Sequence, residues 1–263
     1  MLGIDAAWTL KGPSGVAVAQ EATDGWRLVA VESSYERFNS LVGESTAPDR
    51  PSATHKPEPA KLLTTAAGLC GQSVDLVAVD MPLSHAAITC RRVSDNMVSQ
   101  AYGALKCSTH SPSADRPGQI SDDLRRSFEE LGYPIVTKLP ARHGLIEVYP
   151  HPALIELTNA PERLPYKAGK SRVYWKHLAP AERRAEVLRV WECIISRLET
   201  HVSGVQRALQ DYDQDTSGKG LKSTEDRIDA VVCAWVAICA LDDRAKPYGD
   251  DESAIWIPAC LDR

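Results

Sequence analysis

No apolar run in this 263-residue sequence approaches the ~20 residues that a membrane-spanning helix needs. The opening Met1-Leu2-Gly3-Ile4-Asp5 has neither the basic segment nor the apolar core of a signal peptide. Both absences predict a cytoplasmic protein with no membrane partner. Cys-x-x-Cys pairs are missing too. The seven cysteines (Cys70, Cys90, Cys107, Cys193, Cys233, Cys239, Cys260) are an odd number, several in apolar stretches. That usage argues against a zinc site and a disulfide framework, and predicts reduced core thiols. A Walker-type phosphate loop and a Gly-x-Ser-x-Gly elbow are absent, so Ser14 reads as part of a hairpin turn. The seven histidines show no metal-like spacing. His143 and His151 flank the segment around Glu147, where either could stand behind a ligand. No internal repeat is visible.

What is present is an ordinary globular mixture, 43% hydrophobic and 25% charged. The length is near the upper size for one core, so one domain over 1–263 is expected, with insertions near 84–143 and 159–222. The net charge of −5 is unevenly spread. Between Arg163 and Arg184 seven Lys or Arg face a single acid, Glu182. Such a strip beside an acidic remainder suits a polyanion, and it equally suits a solvated helical face. Tyr174 and Trp175 within it could stack on bases, although packing is the commoner role of such residues.

Leu2 to Trp8, Gly15 to Gln20 and Trp26 to Ser33 are β-prone runs joined by short turns, which favour an antiparallel meander. Residues 39–58, rich in Pro, Ser and Thr, read as an exposed loop, and Pro59 to Cys70 as a helix. Val74 to Met81 is nearly all apolar, as in a strand covered on both faces. Helical and irregular sequence follows, with a polar loop over Cys107 to Gln119. Leu145 to Tyr149 is a further strand that Pro150 and Pro152 end. Pro180 to His201 and Ser223 to Leu241 have helical spacing, and Ala254 to Ile257 can form a last short strand. This order predicts an α/β fold whose mixed five-stranded sheet has three antiparallel strands and then parallel ones, flanked by helices.

Against that framework five acids stand out. Asp5 lies inside a strand, where Asp is depleted. Asp80 and Glu147 sit near the ends of buried strands; a turn role and an exposed face are their ordinary explanations. Asp226 and Asp229 are three apart, hence neighbours on one helix face. Asp226 fits a first helical turn capped by Ser223 or Thr224. Asp229 runs straight into Ala230-Val231-Val232, where an ionised carboxylate costs several kcal/mol unless paired or metal-bound. If strand ends gather Asp5, Asp80 and Asp229 at one sheet edge, cations must keep them together. Oxygen ligands with no His/Cys set select Mg²⁺ or Mn²⁺.

Gly3-Ile4-Asp5, Val79-Asp80-Met81-Pro82-Leu83 and Asp226-x-x-Asp229-Ala230 resemble the ribonuclease H-like superfamily, the last motif its Holliday-junction resolvase branch. With Ile146-Glu147-Val148-Tyr149-Pro150 and Ile257-Pro258, nearly the whole chain is similar to family 429 of the domains of unknown function, predicted ribonuclease H-like nucleases. The resemblance implies two-metal hydrolysis of nucleic-acid phosphodiesters. Asp5 would bridge two Mg²⁺ or Mn²⁺ ions with substrate bound, Asp80 and Asp229 would each complete one shell, and Asp226 or Glu147 would assist. Lys167 and Lys170 would hold phosphates, as would Arg91 or Arg92, which with Asp95 match an Arg and an Asp that the family carries after its Asp-x-Pro. Two other readings stay open: a non-catalytic nucleic-acid-binding or structural relative, and an actin-like ATPase or kinase, which shares the Gly-x-Asp of strand one but needs a duplicated fold.

Overall fold

The short turns between the first three apolar runs produce the expected meander. The computed structural model describes residues 1–9, 11–43 and 56–259; much of the expected loop over 39–58, together with His55 and Cys260, lies outside them. Strands β1 (Leu2–Asp5), β2 (Gly15–Ala22) and β3 (Gly25–Glu32) pair antiparallel in succession. Next come α1 (Tyr35–Asn39), α2 (Pro59–Cys70), β4 (Leu76–Val79), α3 (Val93–Tyr102), α4 (Gln119–Glu130) and β5 (Gly144–Val148). The chain continues through α5 (Pro150–Thr158), α6 (Ser171–Tyr174), α7 (Pro180–Glu199), β6 (Val202–Ser203) and α8 (Val205–Ala208). It closes with α9 (Gly218–Leu241), β7 (Ala245–Gly249) and β8 (Ala254–Pro258). Pro150 ends β5 and opens α5 at its first turn, where a missing N–H costs nothing.

The sheet is mixed and has eight strands, β6-β3-β2-β1-β4-β5-β8-β7, where five were expected. The inner five are the expected ones, with β4 parallel to β1 and β5 parallel to β4. The others extend its edges. Two-residue β6 lies parallel to β3, β8 parallel to β5, and β7 closes the far side antiparallel to β8. Strand β7 is hard to read because Pro247 and Gly249 look like turn residues; on an outer strand a proline forfeits no ladder partner.

Helices cover both faces. Leu2, Ile4, Val77 and Val79 pack with Phe38, Leu62 and Phe128 of α1, α2 and α4. Ala17, Leu76, Ala78 and Ile146 face α5, α7 and α9, with Trp191 at the centre. Helix α9 begins at Gly218, five residues before its expected start, because Ser217 rather than Ser223 or Thr224 caps it by accepting from Gly220 N–H. It lies unusually close to β1 and β2. A Cβ on Gly3 would stand 2.2 Å from Ala230 O, and one on Gly15 would stand 2.1 Å from Asp226 O. Two absent side chains thus bring the acidic part of α9 onto the end of β1.

Six cysteines among the described residues are free thiols; Cys107, Cys233 and Cys239 are buried, while Cys90 and Cys193 are exposed. No helix among the described residues is long and apolar enough to cross a membrane.

Candidate acidic cleft at the sheet edge

Parallel pairing of β1, β4 and β5 puts three strand ends at one edge. The Asp80 N–H donates to Ile4 O at 2.9 Å, which sets Asp80 beside Asp5. Both side chains point to the α9 face, since Ile4 and Val79 occupy the other. Asp5 and Asp80 line a cleft of about 530 Å³ together with Trp8, His110 and Lys167. From above, α9 lowers Asp226 and Asp229, 2% and 0% exposed. The late start expected for α9 would have left Asp226 in the first turn; it lies in the helix interior, so helix-end electrostatics do not account for it.

Four aspartates from β1, the end of β4 and α9 therefore crowd one spot, and their protonation reflects it. Burial, then the balance of Asp226 against Lys167 and Lys222, pushes Asp5 up to about 7. Asp80 is raised well above the carboxylate range by burial and by Asp5 and Asp229. Asp229 is pushed up to about 6, mainly by burial. Asp226 is raised as well, by burial, with Lys222 opposing the shift. Among the described residues no hydrogen bond reaches the buried Oδ2 of Asp226.

The counter-charges come from Lys167, expected here as a phosphate contact, and from Lys222, which sequence reasoning did not place here. Lys167 Nζ contacts Asp229 Oδ2, and Tyr166 O–H donates to Asp229 Oδ1 at 2.8 Å. Tyr166 is itself fixed by Trp191 of α7, whose indole N–H donates to Tyr166 O at 2.8 Å. Lys222 bonds Asp226 Oδ1 and, at 3.1 Å, Glu225 Oε1. Glu225 also accepts from Ala168 N–H at 2.8 Å and faces Lys167 at 3.4 Å. Lys222 was legible at i−4 from Asp226; Tyr166 carries no sequence signal that would distinguish it.

The other expected site residues have different work. Glu147 is in register with Val79, so its side chain lies on the face opposite Asp5. Arg92 binds it through both terminal nitrogens, at 2.6 and 2.7 Å, and Leu83 N–H donates to it at 2.7 Å. Arg92 also clasps Asp95. Arg92 is therefore a buried structural cation, not a free phosphate contact, and Glu147 is held on the face opposite Asp5, where of the aspartates it still acts on Asp80. Arg91 ties the 109–111 loop to α3 through Thr109 O, Ser111 Oγ, Asn96 Oδ1 and Asp95 O. Lys167 is spent on Asp229 and Glu225. Lys170 stays exposed on the wall of the cleft and makes no ion pair among the described residues.

The acid set fixes how the metal-free protein responds to pH. Unfolded Asp titrates near ~3.9, while Asp5 and Asp229 hold protons to about 7 and about 6. With the folded pKa above the unfolded one, their contribution is fully present below the unfolded pKa and is lost as pH rises through the folded values. The melting temperature without divalent ions should therefore rise from pH 8 to pH 6, and less so in Asp5→Asn. Equal slopes in both proteins would remove Asp5 from the coupled set.

Fold and cleft together define an α/β protein with a mixed sheet whose carboxyl edge carries a buried aspartate cluster. A family model described as "Protein of unknown function (DUF429)" matches residues 3–253, and the chain belongs to that family. No curated protein and no solved structure matches it.

Proposed function

We propose that this protein is a ribonuclease H-like nuclease that hydrolyses nucleic-acid phosphodiesters with Mg²⁺ or Mn²⁺. The observation that carries the reading is the meeting of Asp5, Asp80, Asp226 and Asp229 at one strand edge. The inner strand order, three antiparallel strands and then two parallel ones, supports the same architecture.

The donor set fits a hard divalent cation. Its oxygens are carboxylates, burial and then mutual repulsion hold protons on them, and Asp226 Oδ2 is buried without a hydrogen-bond partner among the described residues. In the present arrangement two ammonium groups do the neutralising. Among the described residues no group of three or more His, Cys, Asp or Glu stands ready around one ion position. Lys222, 56% exposed in its side chain, can withdraw into solvent and free Asp226.

Asp5, Asp80 and Asp229 would hold the ions, with Asp226 assisting. Bound ions supply Lewis acidity, lowering the pKa of water and neutralising charge on a leaving oxygen. The chain supplies the rest. Tyr166 and Lys167 fix the Asp229 carboxylate, Trp191 fixes Tyr166, and Gly3 sets the depth of α9. Metal occupancy requires Asp5 and Asp80 to give up their protons, so activity should climb with pH through neutrality.

The test is cleavage of labelled single- and double-stranded DNA and RNA with Mg²⁺ or Mn²⁺. Outer-shell changes at metal sites already cost 10- to 100-fold, so Asp5→Asn should lose about a hundredfold or more. An Asp5→Asn protein as fast as wild type would refute the reading. A second reading draws on the Lys167–Asp229 and Lys222–Asp226 pairs: a non-catalytic relative whose acids are neutralised internally. Mn²⁺ titration separates the two, because internal neutralisation predicts no heat and no rise in melting temperature.

A further inference from the structure

Beside the aspartates is a second lobe of the cleft, about 500 Å³, where the balance of charge reverses. Its acids are mostly paired: Glu147 and Asp95 with Arg92, and Glu225 with two lysines. Asp80, on the boundary with the aspartates, is the exception. The cations Arg163 and Lys170, and His110 with them, line the same lobe and have no carboxylate partner among the described residues. Arg163 donates instead to Nε2 of His151, and its own Nε is buried with no acceptor among the described residues. His151 is 7% exposed and stands edge-on to Tyr149 and Tyr166 at 5.4 and 5.3 Å. Accepting from Arg163 at Nε2 leaves its proton on Nδ1, which also lacks a partner among the described residues. Burial and the nearby Arg163, Lys167 and Lys170 hold its pKa well below the usual value, so the ring is neutral and positions the guanidinium. Like charges gathered in a concavity repel unless an anion joins them.

We propose that Arg163, Lys170 and His110 form an anion subsite that receives a phosphate group, next to the carboxylate cluster rather than on it. Guanidinium and ammonium donors are suited to phosphate oxygens. The inference rests on the nuclease reading only for which molecule carries that phosphate. An internal phosphodiester of a strand and a terminal phosphate monoester share the chemistry.

The experiment is binding measured in EDTA, where nothing is cleaved, for wild type, Lys170→Ala and Arg163→Gln. The probes are inorganic phosphate and a short 3′-labelled oligonucleotide with either a 5′-phosphate or a 5′-hydroxyl. A lost charge-assisted contact should weaken binding about tenfold or more, and each lost cation should reduce the salt slope by about 1. If the 5′-phosphate strengthens wild-type binding and the variants erase that gain, the source is a terminal monoester. If both oligonucleotides weaken equally in the variants, it is an internal phosphodiester. Variants that bind all three probes like wild type would overturn the subsite. Exposed Lys170 keeps the test decisive should Arg163→Gln fail to fold. Cleavage plays no part in the readout. A protein that hydrolyses nothing can therefore still pass, and an active nuclease can still fail.

Discussion

Arg92→Met should destabilise the protein by about 3–5 kcal/mol, the range for removing one partner of a buried ion pair. The Arg92 guanidinium makes five hydrogen bonds to its neighbours: two to Glu147, two to Asp95 and one to Leu83 O. Glu147 and Asp95 are 4% and 2% exposed, so water cannot take over the guanidinium's role. Burial already raises the Glu147 pKa, with Arg92 opposing that shift. Without Arg92 the folded value rises further above the unfolded one. The penalty is then largest at neutral and alkaline pH and shrinks as pH falls through the raised value. Urea unfolding at several pH values should show wild type and variant converging toward acid. Adding Glu147→Gln to Arg92→Met should recover part of the loss, because one orphaned charge disappears. A loss below about 1 kcal/mol at pH 7.5, the size of an exposed pair, would show that this network is not what holds the 83–95 segment to β5.

Gly3→Ala should cost about 1–3 kcal/mol by overpacking and lower the melting temperature by roughly 2–12 °C for a chain of this size. The new methyl would meet Ala230 O at 2.2 Å and Ala234 N at 2.4 Å, both helix backbone, so no flexible side chain can yield. Helix α9 must lift, and Asp226 and Asp229 rise with it. The proposed nuclease activity should therefore fall by more than the stability change explains at temperatures where the variant remains folded. Gly218→Ala, with open space around the added carbon, is the matched control and should be close to neutral. Equal stability of Gly3→Ala and Gly218→Ala would mean that the helix is not seated by this contact.

Much of the framework was legible because it rests on local periodicity. Pro59–Cys70 reads as a helix to the residue, and the unbroken apolar run around Leu76–Val79 announces a strand covered on both faces. Asp5 and Asp229 stand out for a single reason, a charge inside an apolar element. Glu147 misled because a strand's alternation gives two faces but does not say which faces the other acids. Lys167 misled because a basic strip cannot show that one of its lysines folds inward to a buried aspartate.

The sequence by itself determined the kinds of elements, their order and the acids that cannot sit in an apolar setting without partners, since each is set by neighbours a few residues away. Only the tertiary structure decided which charges compensate one another. Strand pairing sends Glu147 to Arg92 on one face and Asp80 to Asp5 on the other. Two glycines admit α9, and an inserted segment delivers Tyr166, Lys167 and Arg163 to the cleft. Those pairings depend on distances between residues up to 231 positions apart in number, Gly3 and Ala234, a quantity that local preference does not encode.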